Sequence, residues 1–383
     1  MNCETRIPPM KTAGIYIHIP FCFTKCGYCN FYSITSLSSL PDFLRALQKE
    51  MEMYHHQFDQ PFDTLYIGGG TPSILSLQQL EDILTGVRKN FRLLPNSEIT
   101  LEANPGDLKK SFIESLAGLG INRLNIGIQS FDQRVLDFLG RRHSSEQAIA
   151  AIEISRKAGF DNIGLDLIYG VPGQEIKCWQ DTLTRAVSFF PEHISCYQLT
   201  IEAETPLGKS YKNSDFALPG EELQYDFFMK TSQWLENAGY IHYEVSNFAR
   251  ETSFASRHNQ KYWNHTPYLG LGPAAHSFIA NQRWWNHKSL DHYITDIKAG
   301  KMPITEREIL TEEQLRLEAL YLGLRTKKGI HLKDFAEQYH CNLVSEKREI
   351  LDRLREEGFI SIQDGYLRPT LAGLAVADRL ALM

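Results

Sequence analysis

Residues 14–33 read GIYIHIPFCFTKCGYCNFYS, and this stretch decides how the rest of the chain is interpreted. An apolar run typical of a buried strand leads directly into three cysteines, Cys22, Cys26 and Cys29, with the spacing C-x3-C-x2-C. No fourth cysteine or histidine follows within the next twenty residues. The sequence therefore predicts a loop that presents three clustered thiols at the end of a strand.

Three thiols this close together leave a tetrahedral metal site incomplete. A structural zinc site is normally closed by four protein ligands, and an iron–sulfur cluster is normally held by thiolates at four corners. A cluster on three cysteines leaves one iron free for an outside ligand, which makes that iron a place for chemistry. Two alternatives stay open on these residues alone: a zinc ion with a distant fourth ligand, and ordinary cysteines without a ligand role.

Residues 16–33, YIHIPFCFTKCGYCNFYS, resemble the cluster loop of the radical S-adenosylmethionine (radical SAM) enzymes. The flanking residues resemble the branch that contains oxygen-independent coproporphyrinogen III oxidase and its heme-chaperone relative, the HemW type. The resemblance implies a 4Fe-4S cluster on the three cysteines, with the amino and carboxylate groups of SAM on the fourth iron. Family members reduce this cluster and cleave SAM to a 5'-deoxyadenosyl radical. Tyr16 and Tyr28 match the tyrosine of the preceding strand and the aromatic residue beside the last cysteine.

Length and composition favour an intracellular protein with more than one domain. The chain has 383 residues, a net charge of -6 and seven cysteines. The charge argues against a broad surface for nucleic acid or another polyanion. An odd number of cysteines and a first segment without an apolar leader suggest a reducing cytoplasm and no disulfide framework. No apolar run approaches the ~20 residues of a membrane span, so we expect a soluble, cytoplasmic protein.

Strand-like runs alternate with amphipathic segments, which is typical of repeated βα units around a parallel sheet. We expect an α/β fold, a partial (β/α)6 barrel, with a smaller C-terminal domain. The six candidate strands are residues 15–19, 64–67, 98–102, 123–128, 163–168 and 194–200. Candidate helices lie between them at residues 40–55, 77–90, 132–139, 145–158 and 177–189. Ligands of such folds gather at the carboxyl ends of the strands, where the cysteine loop also lies.

Polar and glycine-rich residues follow the other strands at equivalent positions. GGGTP, residues 68–72, closes the second strand, and glycine lets the backbone approach a ligand closely. Glu102 ends the third strand, Gln129 ends the fourth and Asp166 lies in the fifth. Each is as compatible with a satisfied structural group as with a ligand contact, but four such strand ends together favour a binding site.

The family resemblance assigns roles to these positions. Gly69, Gly70 and Thr71 resemble the glycine motif that meets the amino group of SAM. The positions through which the branch holds the carboxylate, ribose and adenosine portions of SAM correspond to four residues of this chain: Glu102, Gln129, Arg141 and Asp166. The planar guanidinium of Arg141 suits a carboxylate, although an exposed arginine at a helix end is the plainer interpretation.

A second unusual block spans residues 243–278, within a candidate heme-binding extension at residues 240–290, and it holds three histidines, His258, His265 and His276, among many aromatic residues. Aromatic faces beside imidazoles suit a flat macrocycle, because rings stack and a histidine ligates iron. Core packing is the plainer alternative. Residues 258–263, HNQKYW, resemble the H-N-x-x-Y-W motif associated with heme binding in the chaperone group. The resemblance makes His258 the preferred heme contact, supported by Tyr262 and Trp263.

The pattern of apolar and charged residues changes near residue 300. We therefore expect a first domain at residues 1–300, which includes the cluster loop at 20–33, and a second domain at residues 301–383. Residues 306–324 and 333–340 are amphipathic, and residues 346–357 are highly charged. Two short apolar runs flank Asp364-Gly365, a good hairpin signal, and a helical pattern follows. These features predict a winged-helix-like domain. It lacks a basic recognition stripe, which favours a packing or partner surface over nucleic acid binding.

Three functions stay open. The first is a heme chaperone that binds a 4Fe-4S cluster, SAM and heme and hands heme to an acceptor such as a respiratory hemoprotein. The second is oxygen-independent coproporphyrinogen III oxidase, and the third is another radical SAM reaction such as methyl transfer. Asn30 and Phe31 after the last cysteine, and a short segment before the first strand, depart from the oxidase pattern. SAM cleavage would require an electron donor, and a homodimer is compatible with the sequence.

Overall fold

The computed structural model describes residues 12–55, 57–58 and 60–380. Cys3 and the rest of the first segment, together with the end of the last predicted helix, lie outside these residues. A twelve-stranded sheet carries most of the chain, and a three-stranded sheet forms the core of a second unit. None of the helices within the described residues has the length and apolarity needed to span a bilayer.

The six predicted strands are present and pair in parallel in chain order. The strands are β1 Ala13–Ile19, β2 Phe62–Gly69, β3 Leu93–Ala103, β4 Arg123–Gln129, β5 Ile163–Tyr169 and β6 His193–Gln198. The helices that alternate with them are α1 Leu40–Met53, α2 Leu77–Asn90, α3 Lys110–Gly118, α4 Gln133–Phe138, α5 Ser145–Lys157 and α6 Ile176–Ser188. Only α3 was not predicted. The predicted partial (β/α)6 barrel is confirmed, and the cysteine loop lies at its carboxyl end.

Further strands extend the barrel sheet at both edges, antiparallel to β6 at one edge and parallel to β1 at the other, which the sequence pattern did not predict. After α7 Pro206–Lys212 and α8 Glu221–Asn237, strands β7 Ile241–Glu244 and β8 Asn247–Ala249 join the β6 edge. The chain then crosses to the other edge through α9 Arg257–Trp263. There β9 Tyr268–Leu271 pairs with β1 and is followed by β10 His276–Ile279, β11 Gln282–Asn286 and, after α10 Leu290–Lys298, β12 Ile304–Ile309.

A buried carboxylate ties this second extension to the barrel. Glu50 of α1 accepts hydrogen bonds from the Gly272 amide at 2.8 Å, the Asn286 side chain at 2.6 Å and the Tyr293 hydroxyl at 2.7 Å. Burial raises the pKa of Glu50 to about 7, while the hydrogen bonds from these donors act in the opposite direction. One side chain of α1 therefore holds β11, α10 and the turn after β9 against the barrel.

The second unit has its own hydrophobic core, which includes Leu320, Phe335, Leu351 and Leu367. Its helices are α11 Glu312–Gly323, α12 Leu332–Tyr339, α13 Leu343–Glu346, α14 Arg348–Glu356, α15 Leu371–Ala375 and α16 Ala377–Leu380. Its sheet has the order β13 Ile330–His331, β15 Tyr366–Pro369 and β14 Ile360–Gln363, all antiparallel. The predicted hairpin at Asp364-Gly365 is confirmed, with positive φ at both residues. The predicted winged-helix-like domain is thus present.

The amphipathic segment 306–324 divides between the two units. Its first residues belong to β12, which pairs with β11 in the large sheet, and Thr311 then caps α11. We therefore propose a domain boundary near residue 310 instead of 300. The units contact each other through the Val245 amide, which donates to the Arg325 carbonyl at 3.0 Å, and through His265 and Glu318, 3.1 Å apart.

Candidate functional site

The cysteine loop is closed at its base by backbone hydrogen bonds. The Cys22 amide donates to the Ile34 carbonyl at 3.0 Å, and the Ile34 amide donates to the Pro20 carbonyl at 2.8 Å. The Cys29 amide donates to the Cys26 carbonyl at 3.2 Å, which turns the loop between the last two cysteines. The loop therefore leaves and re-enters the barrel at one place, with its thiols displayed above the end of β1.

Two polar side chains from other elements reach the thiols. The Thr71 hydroxyl lies 3.3 Å from Sγ of Cys22, and Nη1 of Arg141 lies 3.2 Å from Sγ of Cys26. Hydrogen bonds and positive charge stabilise a thiolate, which is the form that ligates metals. Burial raises the pKa of the Cys29 thiol, because a buried thiolate loses its hydration.

These thiols fit a polynuclear cluster better than a single ion. Within the part of the chain that the structure describes, no group of three or more His, Cys, Asp or Glu side chains is placed to hold one metal ion. A 4Fe-4S cluster takes each thiolate on a different iron, so its ligands need not converge on one point. The donor set of three thiols, one hydroxyl and one guanidinium suits an anionic cluster with one iron left without a protein thiolate.

A cavity of about 500 Å³, which we call the polar cavity, opens beside the loop at the carboxyl ends of the strands. It is lined by eight of the nine residues predicted to contact SAM: Tyr28, Gly69, Gly70, Thr71, Glu102, Gln129, Arg141 and Asp166. The structure thus brings together residues that are spread over 140 positions of the sequence, as expected for strand ends of one parallel sheet. The ninth residue, Tyr16, faces a different cavity, described below.

The glycine run has a structural role in addition to any ligand contact. The Gly70 amide donates to the Ile19 carbonyl at 2.8 Å, and the Thr71 amide donates to the Phe21 carbonyl at 2.8 Å. A Cβ on Gly70 would lie 2.6 Å from the Phe21 carbonyl oxygen. Glycine is therefore needed here because the strand end packs directly against the cysteine loop.

Glu102 is held at the inner wall of the polar cavity. The Tyr66 hydroxyl donates to Oε1 at 2.7 Å, and the Gly69 amide donates to Oε2 at 3.1 Å. Burial and, less strongly, the neighbouring Asp166 raise the pKa of Glu102 to about 7, although the hydrogen bond from Tyr66 and the charge of Arg123 act in the opposite direction. Glu102 is therefore partly protonated near neutral pH and becomes a full carboxylate only above it.

Three buried polar atoms in this cavity have no hydrogen-bond partner among the described residues: Oε1 of Gln129, Nε of Arg141 and Oδ1 of Asp166. Gln129 also has a φ of 66°, a left-handed conformation that is costly for a residue with a Cβ. Buried polar atoms are normally paired, so unpaired ones on residues that line a cavity are candidates for contact with a polar ligand. Arg142, by contrast, forms an ion pair with Asp107 outside the cavity.

Sequence reasoning missed several lining residues, including Tyr66, Asn125 and Tyr197. Asn125 donates to Oδ2 of Asp166 at 2.6 Å and so orients that carboxylate. Tyr66 lies on β2, Asn125 on β4 and Tyr197 on β6. Successive side chains of a strand point to opposite faces, and these three point into the barrel. The alternation was a usable signal, but only once the strand pairing was known.

His258, the predicted heme contact, lies inside the opposite end of the barrel. It is 1% exposed, and α9 inserts it between the amino-terminal halves of β1 and β2. Nδ1 lies 2.8 Å from the Thr64 hydroxyl and Nε2 lies 2.9 Å from the Tyr262 hydroxyl. A Cβ on Gly14 would lie 3.1 Å from the imidazole. Both ring nitrogens are therefore engaged, and burial lowers the pKa of His258 to about 3.

The other two predicted heme contacts separate from each other. Tyr262 lines a second cavity, whereas Trp263 packs under the guanidinium of Arg325 from the C-terminal unit, 5.5 Å from the ring centre. The contiguous motif HNQKYW thus contributes side chains to three different environments. No one surface in the described structure presents all three residues to a ligand.

The second cavity, which we call the aromatic cavity, has a volume of about 570 Å³. It lies between β1 and the β9–β12 extension, on the other side of the cysteine loop from the polar cavity. The two cavities share Asn30 and Phe31 of the loop. Most other lining residues are aromatic or imidazole side chains: Tyr16, His18, Tyr32, Tyr262, Tyr268, His276 and Trp285.

Comparison with known proteins gives matches along nearly the whole chain. A family model described as the radical SAM superfamily matches residues 16–186, and one described as the HemN C-terminal domain matches residues 310–376. The chain is 36% identical to the heme chaperone HemW of Bacillus subtilis over 92% of this chain and 93% of that protein. It is 34% identical to the heme chaperone HemW of Mycobacterium tuberculosis over 97% of this chain and 94% of that protein.

Two further relatives extend this comparison. The mitochondrial radical S-adenosyl methionine domain-containing protein 1 of Danio rerio is 33% identical over 96% of this chain and 85% of that protein. Among solved structures, the coproporphyrinogen III oxidase HemN of Escherichia coli, a radical SAM enzyme, superposes with a TM-score of 0.85 at 23% identity, covering 98% and 90%. At 23% identity, this superposition shows that the two proteins share a fold and no more than that.

Proposed function

This chain belongs to the HemW-type branch of the radical SAM family, and on this premise we propose that it is a heme chaperone that also binds a 4Fe-4S cluster and SAM. The observation that carries the proposal is the pair of cavities that meet at the cysteine loop. One is polar with unpaired buried atoms, and the other is aromatic with imidazole side chains. Together they suit a charged nucleoside ligand and a flat macrocycle.

In this proposal Cys22, Cys26 and Cys29 hold the cluster, and Arg141 and Thr71 stabilise the ligated sulfurs through the contacts described above. When bound, the cluster supplies an electron for cleavage of SAM, for which a separate electron donor is needed. Burial of Cys22 limits access of water to its sulfur, which strengthens the electrostatic effect of the Thr71 hydroxyl on it.

The polar cavity would hold SAM through its unpaired groups. The guanidinium of Arg141 suits the SAM carboxylate, because its planar fork matches two oxygens. Glu102 and the Gly69–Thr71 turn suit the amino group and the ribose hydroxyls, and the Gln129 amide oxygen suits a donor of the adenosine portion. The left-handed backbone at Gln129 directs its side chain to this position at a conformational cost.

The aromatic cavity would hold heme before its transfer to an acceptor hemoprotein. Rings such as Tyr268 and Trp285 offer apolar faces to a macrocycle. Offset-stacked and edge-to-face arrangements of such rings both stabilise a flat aromatic ligand. The same cavity could accept a coproporphyrinogen, which keeps the oxidase as the second candidate function. The six described cysteines are unpaired, and we propose that the protein works in the reducing cytoplasm.

The test is a heme titration of the anaerobically reconstituted protein, followed by Soret absorption, with a coproporphyrinogen turnover assay on the same sample. Stoichiometric heme uptake without decarboxylation supports the chaperone. Turnover to protoporphyrinogen without specific heme uptake would show that the protein is an oxidase. Transfer is then measured by mixing the heme-loaded protein with an apo-hemoprotein and following the change in the Soret band.

A further inference from the structure

The three histidines of the aromatic block differ in whether their ring nitrogens are free. His258 has both nitrogens engaged inside the barrel. His265 lies 3.1 Å from Glu318 of α11, where it joins the two structural units. The His276 ring makes no hydrogen bond with any described residue. Among these three, His276 alone keeps both imidazole nitrogens available to a ligand.

His276 also lies at the wall of the aromatic cavity, where it can reach a bound ligand. It is exposed at the wall of the aromatic cavity, on β10, and its cross-strand neighbour on β11 is Trp285. The two rings stack with centroids 5.5 Å apart and planes at 23°. Stacking on the indole restricts the imidazole to one orientation, so little conformational freedom is lost when a ligand binds it.

The protonation state of His276 suits ligation. Although the side chain is exposed to the cavity, partial loss of hydration beside the sheet, together with the charge of Arg283, lowers the pKa of His276 below its ordinary value. The lowered pKa favours the neutral imidazole, which is the form that binds iron. The other histidine of this cavity, His18, is already engaged with Tyr16 at 2.9 Å and with the Tyr32 carbonyl at 2.8 Å.

We propose that the aromatic cavity is the tetrapyrrole site of this protein and that His276, in place of His258, supplies an axial imidazole to the iron. This inference rests on the proposed heme-chaperone function and deepens it. In the same site, His258 is a positioning residue, because its contact with the Tyr262 hydroxyl holds that ring at the cavity wall.

A cation at the rim of the cavity fits the propionate groups of a heme. Lys288 lines the cavity, is exposed, and forms no ion pair within the described residues. An ammonium that is not already paired can meet a carboxylate without breaking another contact. The geometry thus provides an iron ligand on β10, ring faces on β9 and β11, and a charge partner after β11.

The site adjoins the cysteine loop. Phe31 is 68% exposed and lines both cavities, and Tyr32 forms the next part of the aromatic wall. An exposed phenylalanine is costly in water and gains apolar contact when a macrocycle covers it. A heme in the aromatic cavity would therefore pack against the same loop that carries the thiols.

The experiment compares wild type with His276→Ala, His258→Ala and His292→Ala in anaerobic titrations with ferric heme. His292 is a matched control, since it is exposed on α10 outside both cavities. We expect His276→Ala to weaken heme binding by at least roughly 10-fold, since loss of a mere hydrogen-bond partner of a metal ligand already costs about 10- to 100-fold. We expect the Soret band and the heme EPR signal to change with it, and Lys288→Met to weaken binding about two- to fivefold.

Chemical rescue separates ligation from folding. Free imidazole should restore the wild-type spectrum to His276→Gly, because it can occupy the space of the missing ring. His258→Ala should lower the melting temperature and weaken heme uptake by less than His276→Ala does, and the heme that it binds should keep the EPR signal of an axial histidine. If His276→Ala keeps the wild-type affinity and spectrum while the wild type binds heme, the inference is wrong and the chaperone function stands. If the wild type takes up no heme, both proposals are wrong.

Discussion

The two ends of the barrel contain similar polar residues, which differ in how far they are paired with other residues of the protein. At the amino-terminal end, Lys261 of α9 lies 2.6 Å from Asp63, and Glu98 accepts the amides of Arg257 and His258 at 3.2 Å and 3.1 Å. At the carboxyl end, atoms of Gln129, Arg141 and Asp166 lack partners among the described residues. The first end is closed by these internal pairs, although Nε of Arg123 and Nδ1 of His193 there also lack partners among the described residues, whereas the second end opens onto the polar cavity.

This difference shows how to distinguish a structural motif from a binding motif. HNQKYW is as distinctive in the sequence as the residues around Gln129, yet its histidine, lysine and tyrosine are consumed by contacts within the fold. Along β1, the five residue-to-residue steps from Gly14 to Ile19 separate the two ends by about 16 Å. A residue type therefore indicates a ligand only when its unpaired polar atoms belong to the lining of an open cavity.

The largest expected effect concerns the carboxyl end. Replacement of Cys22, Cys26 or Cys29 by alanine should abolish the visible absorption of the reconstituted cluster, because each thiolate holds a separate iron. Cys178→Ala, Cys196→Ala and Cys341→Ala serve as controls and should retain the absorption and the iron content. A full cluster in any of the first three variants would contradict the assignment.

A smaller effect is expected at the sealed end. Asp63→Ala removes the partner of Lys261, whose side chain is 7% exposed, and leaves a buried ammonium unpaired. Loss of one member of a buried pair typically lowers the free energy of unfolding by about 3–5 kcal/mol. Denaturation with urea, followed by circular dichroism, measures this loss.

Asp181→Ala is the control for Asp63→Ala, since Asp181 pairs with Lys177 on the surface of α6. Its loss should change the free energy of unfolding by no more than ~0.5 kcal/mol. Equal stability of the two variants would show that the amino-terminal end is not sealed by this pair.

The smallest effect is a pH dependence of SAM binding. The pKa of Glu102 is about 7 in the free protein, raised first by burial and then by Asp166, while Tyr66 and Arg123 act in the opposite direction. A cationic ligand favours the deprotonated carboxylate, so affinity should rise with pH through the pKa and then level off. Between pH 6 and pH 8 the gain is about tenfold for one such group.

Isothermal titration of the reconstituted protein with SAM measures this dependence. Glu102→Gln should bind more weakly and should lose the rise between the two pH values. A rise of the same size in Glu102→Gln would assign the titration to another group and would remove Glu102 from the proposed contacts.

Much of the fold was readable from the sequence. The boundaries of α2, predicted at residues 77–90, agree with the structure, because a capping box at Ser76 and Gln79 marks the start of the helix locally. Thiol spacing and the residues at strand ends likewise lie in short contiguous stretches. The sequence by itself therefore determined the βα repeat, the cysteine loop, the family and most of the polar cavity.

Only the tertiary structure decided what each histidine and tyrosine of the aromatic block does. The sequence could not show that β8 and β9 join opposite edges of one sheet, because strand pairing joins residues far apart in the chain. That pairing carries α9 across the amino-terminal end, buries His258, turns Tyr16 into the aromatic cavity and leaves His276 free. Local patterns specify elements, whereas the availability of a polar atom depends on what the rest of the fold places beside it.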